Sequence, residues 1–368
     1  MDHQPITSLK SVRLAVAAPD FQAGLSFFVE ELGFEVAMIA PAEDPTYAVL
    51  TLEGMTIALD KNRISEPVTL EIPSEGKEII GTSKQGPNGT KVHYVSYVRE
   101  VSKNTKQIPV LNVAQVEKAN WVTGRAGMSY RSLIDDQKSH ITASHIKIEG
   151  SGQVPDWVHF HDVEFQVIYC LRGSAKLVYE GQGEPFILSE GDCVLQPPHI
   201  RHRVLESYDD LEVIEVTSPS DHATYADRVM ELPNRSYTPE KDFSGQRFTF
   251  SKHSESKWEK YPGNENLVTQ KTSILKTSGG VGWVNEIRAI AFQETNEEPI
   301  LVNHDFEPDF FLWFVVEGSA TIIYEGRKIN IGVDDAIICP NGCRQETEFY
   351  LAGFQEDFRV LEVGINPH

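Results

Sequence analysis

At 368 residues the chain is too long for one ordinary domain, and its formal net charge of −21 argues against binding nucleic acid or an anionic membrane surface. The acidic residues are dispersed, no run approaches eighteen apolar residues, and Met1-Asp2-His3-Gln4-Pro5 has neither a basic nor an apolar leader character, so neither a membrane span nor a signal peptide is expected. Only four cysteines occur, Cys170, Cys193, Cys339 and Cys343, which fits free thiols in a reducing cytoplasm.

The chain opens with an alternating stretch, Ser11 to Val16, that reads as a half-buried strand. Asp20 is placed to cap a helix over Phe21 to Glu31, with Leu25, Phe28 and Leu32 at helical spacing and Gly33 as the stop. Three short strands follow, over Phe34 to Ile39, Tyr47 to Leu52 and Met55 to Leu59, the last two joined at Glu53-Gly54. The β-α-β-β-β order and the run from Leu25 to Phe34 resemble one module of the glyoxalase, or vicinal-oxygen-chelate, superfamily. That resemblance implies a metal only where a histidine opens the first strand and a glutamate closes the last. Ser11 and Ala58 stand at those places, so residues 1–62 are expected to be structural. Residues 63–120 are rich in turn formers (Pro73 to Lys77, Lys84 to Gly89) and read as a linker or a degenerate second half of that module, with Val92 to Val98 as a remnant strand.

An internal repeat dominates the remainder. Gly173-Ser174-Ala175-Lys176-Leu177-Val178-Tyr179-Glu180-Gly181 recurs as Gly318-Ser319-Ala320-Thr321-Ile322-Ile323-Tyr324-Glu325-Gly326, and Gly191-Asp192 before Pro197 recurs as Asp334-Asp335 before Pro340. Short strands at near-even spacing with glycine turns predict two tandem β-barrels or sandwiches, over residues 121–218 and 263–368. Residues 219–262 between them read as a connector, with a short helix over Asp221 to Met230.

The chemistry concentrates between Pro155 and Arg203. His159 and His161, at i and i+2 on a strand, project to one face, and His202 returns about forty residues later behind Pro197-Pro198. Three neutral imidazoles suit one divalent transition metal and leave coordination positions open for water and substrate. Gln166 lies on the next strand, and parity puts Ile168 and Cys170 on its inward face. Arg201, beside His202, faces away by the same parity; its alternative role is to anchor a substrate carboxylate.

The spacing His159-x-His161-x4-Gln166-x6-Gly173, then Gly191-x5-Pro197-x4-His202, closely resembles the two motifs of the cupin superfamily. The resemblance implies a mainly β fold of two tandem cupin (double-stranded β-helix, jelly-roll) barrels behind the small α+β module. It implies metal ligation by His159, His161 and His202, with Gln166 where the family carries a glutamate. The metal expected first is iron, with manganese, zinc, nickel and copper as alternatives. The second repeat departs from the pattern: His304 lies over His159, but Phe306, Phe311 and Gln345 replace the other three, and Cys339 and Cys343 lack soft partners for a zinc site. That barrel is expected to be filled and supporting. By analogy the function is that of a non-haem iron dioxygenase-like oxidoreductase of a small organic or aromatic acid. A non-catalytic binding or sensing bicupin, or a metal-assisted isomerase or lyase, stand as alternatives. No catalytic residue is assigned. The expected partners are a small-molecule substrate and, as an open option, a second copy of the chain in a homodimer.

Overall fold

A computed structural model describes residues 12–41, 44–76, 78–96, 111–134, 140–262, 264–295, 298–302, 309–340 and 349–366, the side chains of 339 and 340 excepted. The chain divides into two compact units, Met1–Glu100 and Val101–His368.

In the first unit Asp20 caps its helix as its side chain predicts, accepting from the Ala23 amide at 3.1 Å. The helix Phe21–Ser26 widens into a π-turn over Phe27–Glu31, which turns Phe27 and Phe28 into the core. Four strands form one sheet in the order Leu14–Ala17, Met55–Asp60, Tyr47–Leu52, Glu35–Ala40. Glu53 and Gly54, with φ of 44° and 86°, make the left-handed pair that a tight hairpin needs. Ala58 is buried in this sheet, and Ser11 lies outside the described residues. Thr69–Ser74, Lys91–Ser96 and Ser83–Gln85 form a second, three-stranded sheet. Leu70 and Val92 from it pack with Phe28, Leu50 and Ile57. The stretch read as a linker or a degenerate second half of the module folds onto the same core through 96, with the remnant strand as Lys91–Ser96, because a few apolar residues between turns were enough to seat it. Tyr97 and Val98 lie outside the described residues.

The second unit contains both barrels. The first is built on one sheet whose central pair is the long antiparallel Phe165–Tyr179 and His202–Ser218, flanked by Thr142–Ile148 and Cys193–Leu195. The second repeats this pairing with Phe310–Glu317 against Arg359–Ile365, closed by a smaller sheet through Ser319–Tyr324 and Phe349–Phe354. The repeat glycines mark equivalent turns. Gly173 and Gly318 have φ of 68° and 69°, and a Cβ on Gly173 would meet the Tyr208 and Asp209 carbonyls at 2.6 and 2.7 Å.

Strand parity decides what each barrel does with its central strand. Phe165, Val167, Tyr169 and Leu171 point out of the first barrel and pack with Phe310, Leu312, Phe314 and Val316, which point out of the second. The two barrels therefore share one buried apolar layer. Tyr169 donates across it to Glu286 Oε2 at 2.6 Å. The even residues of the first strand, Gln166, Ile168 and Cys170, face inward as expected; the odd residues of the second, Phe311, Trp313 and Val315, fill their own barrel.

The connector divides its allegiance. Thr224–Ala226 pairs with His159–His161 and Thr249–Ser251 with Cys193–Leu195, both on the first barrel, while Trp258–Lys260 pairs with Leu267–Lys271 on the second. The expected helix over Asp221 to Met230 is thus corrected to an extended segment, because the free edge of the His159–His161 strand offers its backbone hydrogen bonds to the Thr-Tyr-Ala stretch. Asn112–Ala114 likewise adds an edge strand to the second barrel, whereas Val122–Thr123 and Ser129–Ser132 join the first.

Candidate metal centre

Two backbone pairings assemble the centre. His159 lies directly opposite His202 in the antiparallel register, and His161 follows two residues on, facing the same way. The second pairing, His161 with Thr224, closes the far side. The turn before His202 places His199 at φ 63°, a conformation an asymmetric side chain adopts at a cost, and His199 Nε2 is tied to Asp162 at 2.9 Å. The ring centroids of His159 and His202 are 4.2 Å apart, and those of His161 lie 5.1 and 5.2 Å from them. One ring nitrogen from each comes within 4.8 Å of the other two. His159 and His202 are buried.

Hydrogen bonds set the tautomers. His159 Nδ1 lies 2.7 Å from the Trp157 carbonyl and His202 Nδ1 lies 3.0 Å from the Ile200 carbonyl. A carbonyl oxygen only accepts, so both Nδ1 atoms carry the hydrogen and both Nε2 lone pairs are free for other use. His161 Nδ1 meets Thr224 Oγ1 at 2.9 Å. Burial lowers the proton affinity of all three rings. His161 falls to about 2 through burial and then the neighbouring His159 and His222. His202 falls well below the usual imidazole range through burial, then His159 and His161. His159 falls through burial and then the Arg125 guanidinium. The rings are neutral at pH 7, the form in which imidazole ligates a metal.

Two protein donors already use these lone pairs. Arg125 Nη2 lies 3.1 Å from His159 Nε2, and Gln196 Nε2 lies 3.0 Å from His202 Nε2. Gln196 also accepts from the Tyr179 hydroxyl at 2.9 Å and donates to Gln166 Oε1 at 3.3 Å, and Gln166 Nε2 reaches Glu215 Oε2 at 3.3 Å. A chain of side-chain amides thus runs from His202 to a carboxylate. Glu215 is raised above the ordinary carboxylate range by burial, against the pull of His222 and Arg125.

The three histidines open on a cavity of about 440 Å³ in the first barrel. Its walls are mostly aliphatic, among them Ile146, Ile168, Leu177, Leu211 and Val213. Of the residues singled out from sequence, His159, His161, His202 and Ile168 line it. Gln166 is buried behind it, its amide oxygen engaged by Gln196 rather than turned to the histidines. Cys170 sits deeper in the barrel core, its thiol pushed up to about 12 by burial and then Asp192, and does not line the cavity. Arg201 is also outside the lining: parity turns it away, over the Phe160 ring at 4.2 Å, with its Nε on Asp227 at 3.2 Å. Sequence reasoning missed Arg125, Gln196, Glu215 and His222. Glu215 had a usable signal: it continues the inward parity of Leu211 and Val213. Arg125 comes from an irregular segment with no periodicity to read, and His222 from a stretch whose pattern suggested a helix.

In the second barrel Phe311 is fully buried against Trp313 and Phe349, with ring centroids 5.7 and 6.2 Å away. His304, Phe306, Gln345 and Cys343 lie outside the described residues, as does the Cys339 side chain.

The family model described as "Cupin domain" matches residues 145–217, a span that includes His159, His161, Gln166 and His202. Among solved structures, one mutant of Bacillus subtilis oxalate decarboxylase is similar at a TM-score of 0.50 and 12% identity, over 73% of this chain and 81% of that chain. A second mutant of the same enzyme gives 0.50 at 13% identity, with the same coverage. The 7S globulin of Momordica charantia gives 0.46 at 14% identity, over 70% of this chain and 84% of that one. At such identities the likeness to the oxalate decarboxylase mutants carries the two-barrel fold alone. No curated protein sequence matches the chain.

Proposed function

We propose, from the cupin domain at residues 145–217 as the premise, that this protein is a metal-dependent enzyme of the non-haem dioxygenase type, acting on a small organic or aromatic acid. The observation that carries the reading is the set of three neutral imidazoles gathered on the wall of a largely apolar cavity. The donor set fits a divalent transition metal: each Nδ1 is held by an oxygen partner, which leaves one nitrogen per ring to ligate. His159, His161 and His202 would hold the ion. Three imidazoles do not by themselves favour iron over manganese, zinc, nickel or copper. When bound, such a metal supplies a Lewis acid and, if redox-active, an electron conduit.

The chain's own residues supply the rest. The aliphatic walls exclude water from the reacting face. Arg125 contributes a fixed positive charge beside His159. Glu215, whose carboxyl burial raises above the ordinary carboxylate range, is the carboxylate among the described lining residues and the group placed to hold a proton. Gln166 bridges it to Gln196 and leaves that proton on Glu215, since an amide cannot take it. The N-terminal unit enters this reading only as a structural, glyoxalase-like companion.

One observation favours a second reading, a binding module without turnover. The ligating nitrogens of His159 and His202 each accept from a protein donor, a network complete without an ion. Metal analysis of anaerobically purified protein, then oxygen uptake by the iron-loaded protein with candidate acids, decides between them. Bound metal and acid-dependent oxygen consumption are expected; a chain that neither retains nor takes up metal sinks the enzyme reading.

A further inference from the structure

Arg125 stands in the turn Arg125–Gly127, ahead of the first-barrel strands. That turn holds Ala126 at φ 55° and ψ 21°, a left-handed conformation in which a non-glycine residue persists only when its surroundings fix it. What fixes the neighbouring Arg125 is visible. Its Nη1 is 2.6 Å from Asp156 Oδ1, and the Asp156 side chain is fully buried, with its other oxygen taking the Val204 amide at 3.0 Å. The guanidinium is thereby pinned at one nitrogen. Its Nη2 reaches 3.1 Å from His159 Nε2 and so lies beside the three-histidine cluster. No other Arg or Lys is among the described residues lining the cavity.

We propose that Arg125 is the carboxylate anchor of this cavity and selects a monocarboxylate with an apolar body. The proposal rests on the small-acid reading above and names the residue that enforces it. A planar guanidinium fork matches a planar carboxylate, and partial burial of the Arg125 side chain strengthens the pair. Ile146, Leu211 and Val213 offer nothing to hydrogen-bond, so a polyhydroxylated ligand would leave polar groups unpaired against them. Arg125 is the lone guanidinium or ammonium group among the described lining residues, so a second carboxylate on the ligand would lack a cationic side chain to pair with. One acidic group at the histidine end and a hydrocarbon body along the aliphatic wall satisfy every group named here. The pinned position also sets where the acid head lies, beside His159. That places it beside the residues that would hold an ion, and the placement holds equally for the metal-free chain.

The test is calorimetric titration of the full chain, metal-free and zinc-loaded, with monocarboxylates from butanoate to 3-phenylpropanoate and with their neutral amides. The acids are expected to bind roughly tenfold or more tightly than the amides, as a charge-assisted hydrogen bond implies. Arg125→Met is expected to erase that preference and leave amide binding and zinc stoichiometry as they were. Arg125→Lys, keeping the charge but not the fork, should recover only part of it. Because Arg125→Met strands a buried Asp156, the double variant Arg125→Met/Asp156→Asn repeats the measurement with both charges removed. Equal affinity of the wild-type chain for acids and amides, absence of acid binding, or an acid preference that survives in both Met variants overturns the proposal. Metal content is read separately. A metal-free chain with an Arg125-dependent acid preference sinks the metal reading alone, and a three-histidine metal site without that preference sinks the anchor alone.

Discussion

The two barrels carry the same carboxylate and treat it in opposite ways. Glu215 pairs with Ile168 across the central strands of the first barrel, and Glu362 pairs with Trp313 at the corresponding place in the second. Glu362 is buried and satisfied: the Trp313 and Trp283 indoles donate to it at 3.1 and 3.3 Å, and Asn285 donates at 3.0 Å. Among the described residues Glu215 has only the Gln166 amide at 3.3 Å and otherwise faces the cavity. Gln166 and Ile168 in one barrel stand where Phe311 and Trp313 stand in the other, so two aromatic side chains fill the volume that the first barrel leaves open. The same strand scaffold thus yields a cavity or a packed core according to the size of two inward residues.

The largest expected effect is on metal. His161→Ala should reduce bound metal from about one ion per chain to nearly none in elemental analysis. Retention of a full equivalent would mean that the first barrel is not the one that binds. Next comes packing. Trp313→Ala should destabilise the chain by about 3–5 kcal/mol in denaturant unfolding, because a filled core gains a cavity and loses an indole hydrogen bond. Metal stoichiometry should stay unchanged; a loss of metal alongside would erase the division of labour between barrels.

The paired carboxylates sharpen the contrast further. Glu362→Gln should cost about 1.5–3 kcal/mol, since it weakens charge-assisted bonds from two indoles. Glu215→Gln should cost less than that and relieve a penalty at high pH. The Glu215 carboxyl is raised in the folded chain, so folding is disfavoured as pH rises from the unfolded value near 4.5 through the folded one. Equal losses from both variants would show that the two glutamates do the same work. The smallest effect is the pH slope of the metal-free chain. His159, His161 and His202 are lowered on folding from about 6.5, so the unfolded chain binds more protons below that pH. Stability should therefore fall as pH drops below 6.5, and His202→Gln should flatten the slope of melting temperature between pH 7.5 and 5.5.

Much of this was legible in the sequence because it depends on parity and local turns. His159, His161 and His202 share a face by spacing alone, and Gly173 and Gly318 sit at the φ their turns require. The barrel-to-barrel layer was only half legible: Phe165, Val167 and Tyr169 announce an apolar face, but not which surface covers it. What the sequence could not show was long-range closure. Arg125 reaches His159 from a turn without periodicity, and Thr224 reaches His161 from a stretch whose pattern suggested a helix. Local propensity there lost to an unpaired strand edge. Gln166 stands where the resemblance places a glutamate, and the sequence did not show that its amide oxygen and nitrogen meet Gln196 and Glu215.

The layer shared by Phe165, Val167, Tyr169, Phe310, Leu312 and Phe314 has a consequence for how the molecule comes apart. Neither barrel can lose its central strand without uncovering the other's, so residues 101–368 should melt cooperatively, in one calorimetric transition. An excised first barrel, cut before residue 263, would present that apolar face to water and self-associate or aggregate rather than stand as a soluble miniature. The packed barrel is, in that sense, the covalently attached solubiliser of the open one.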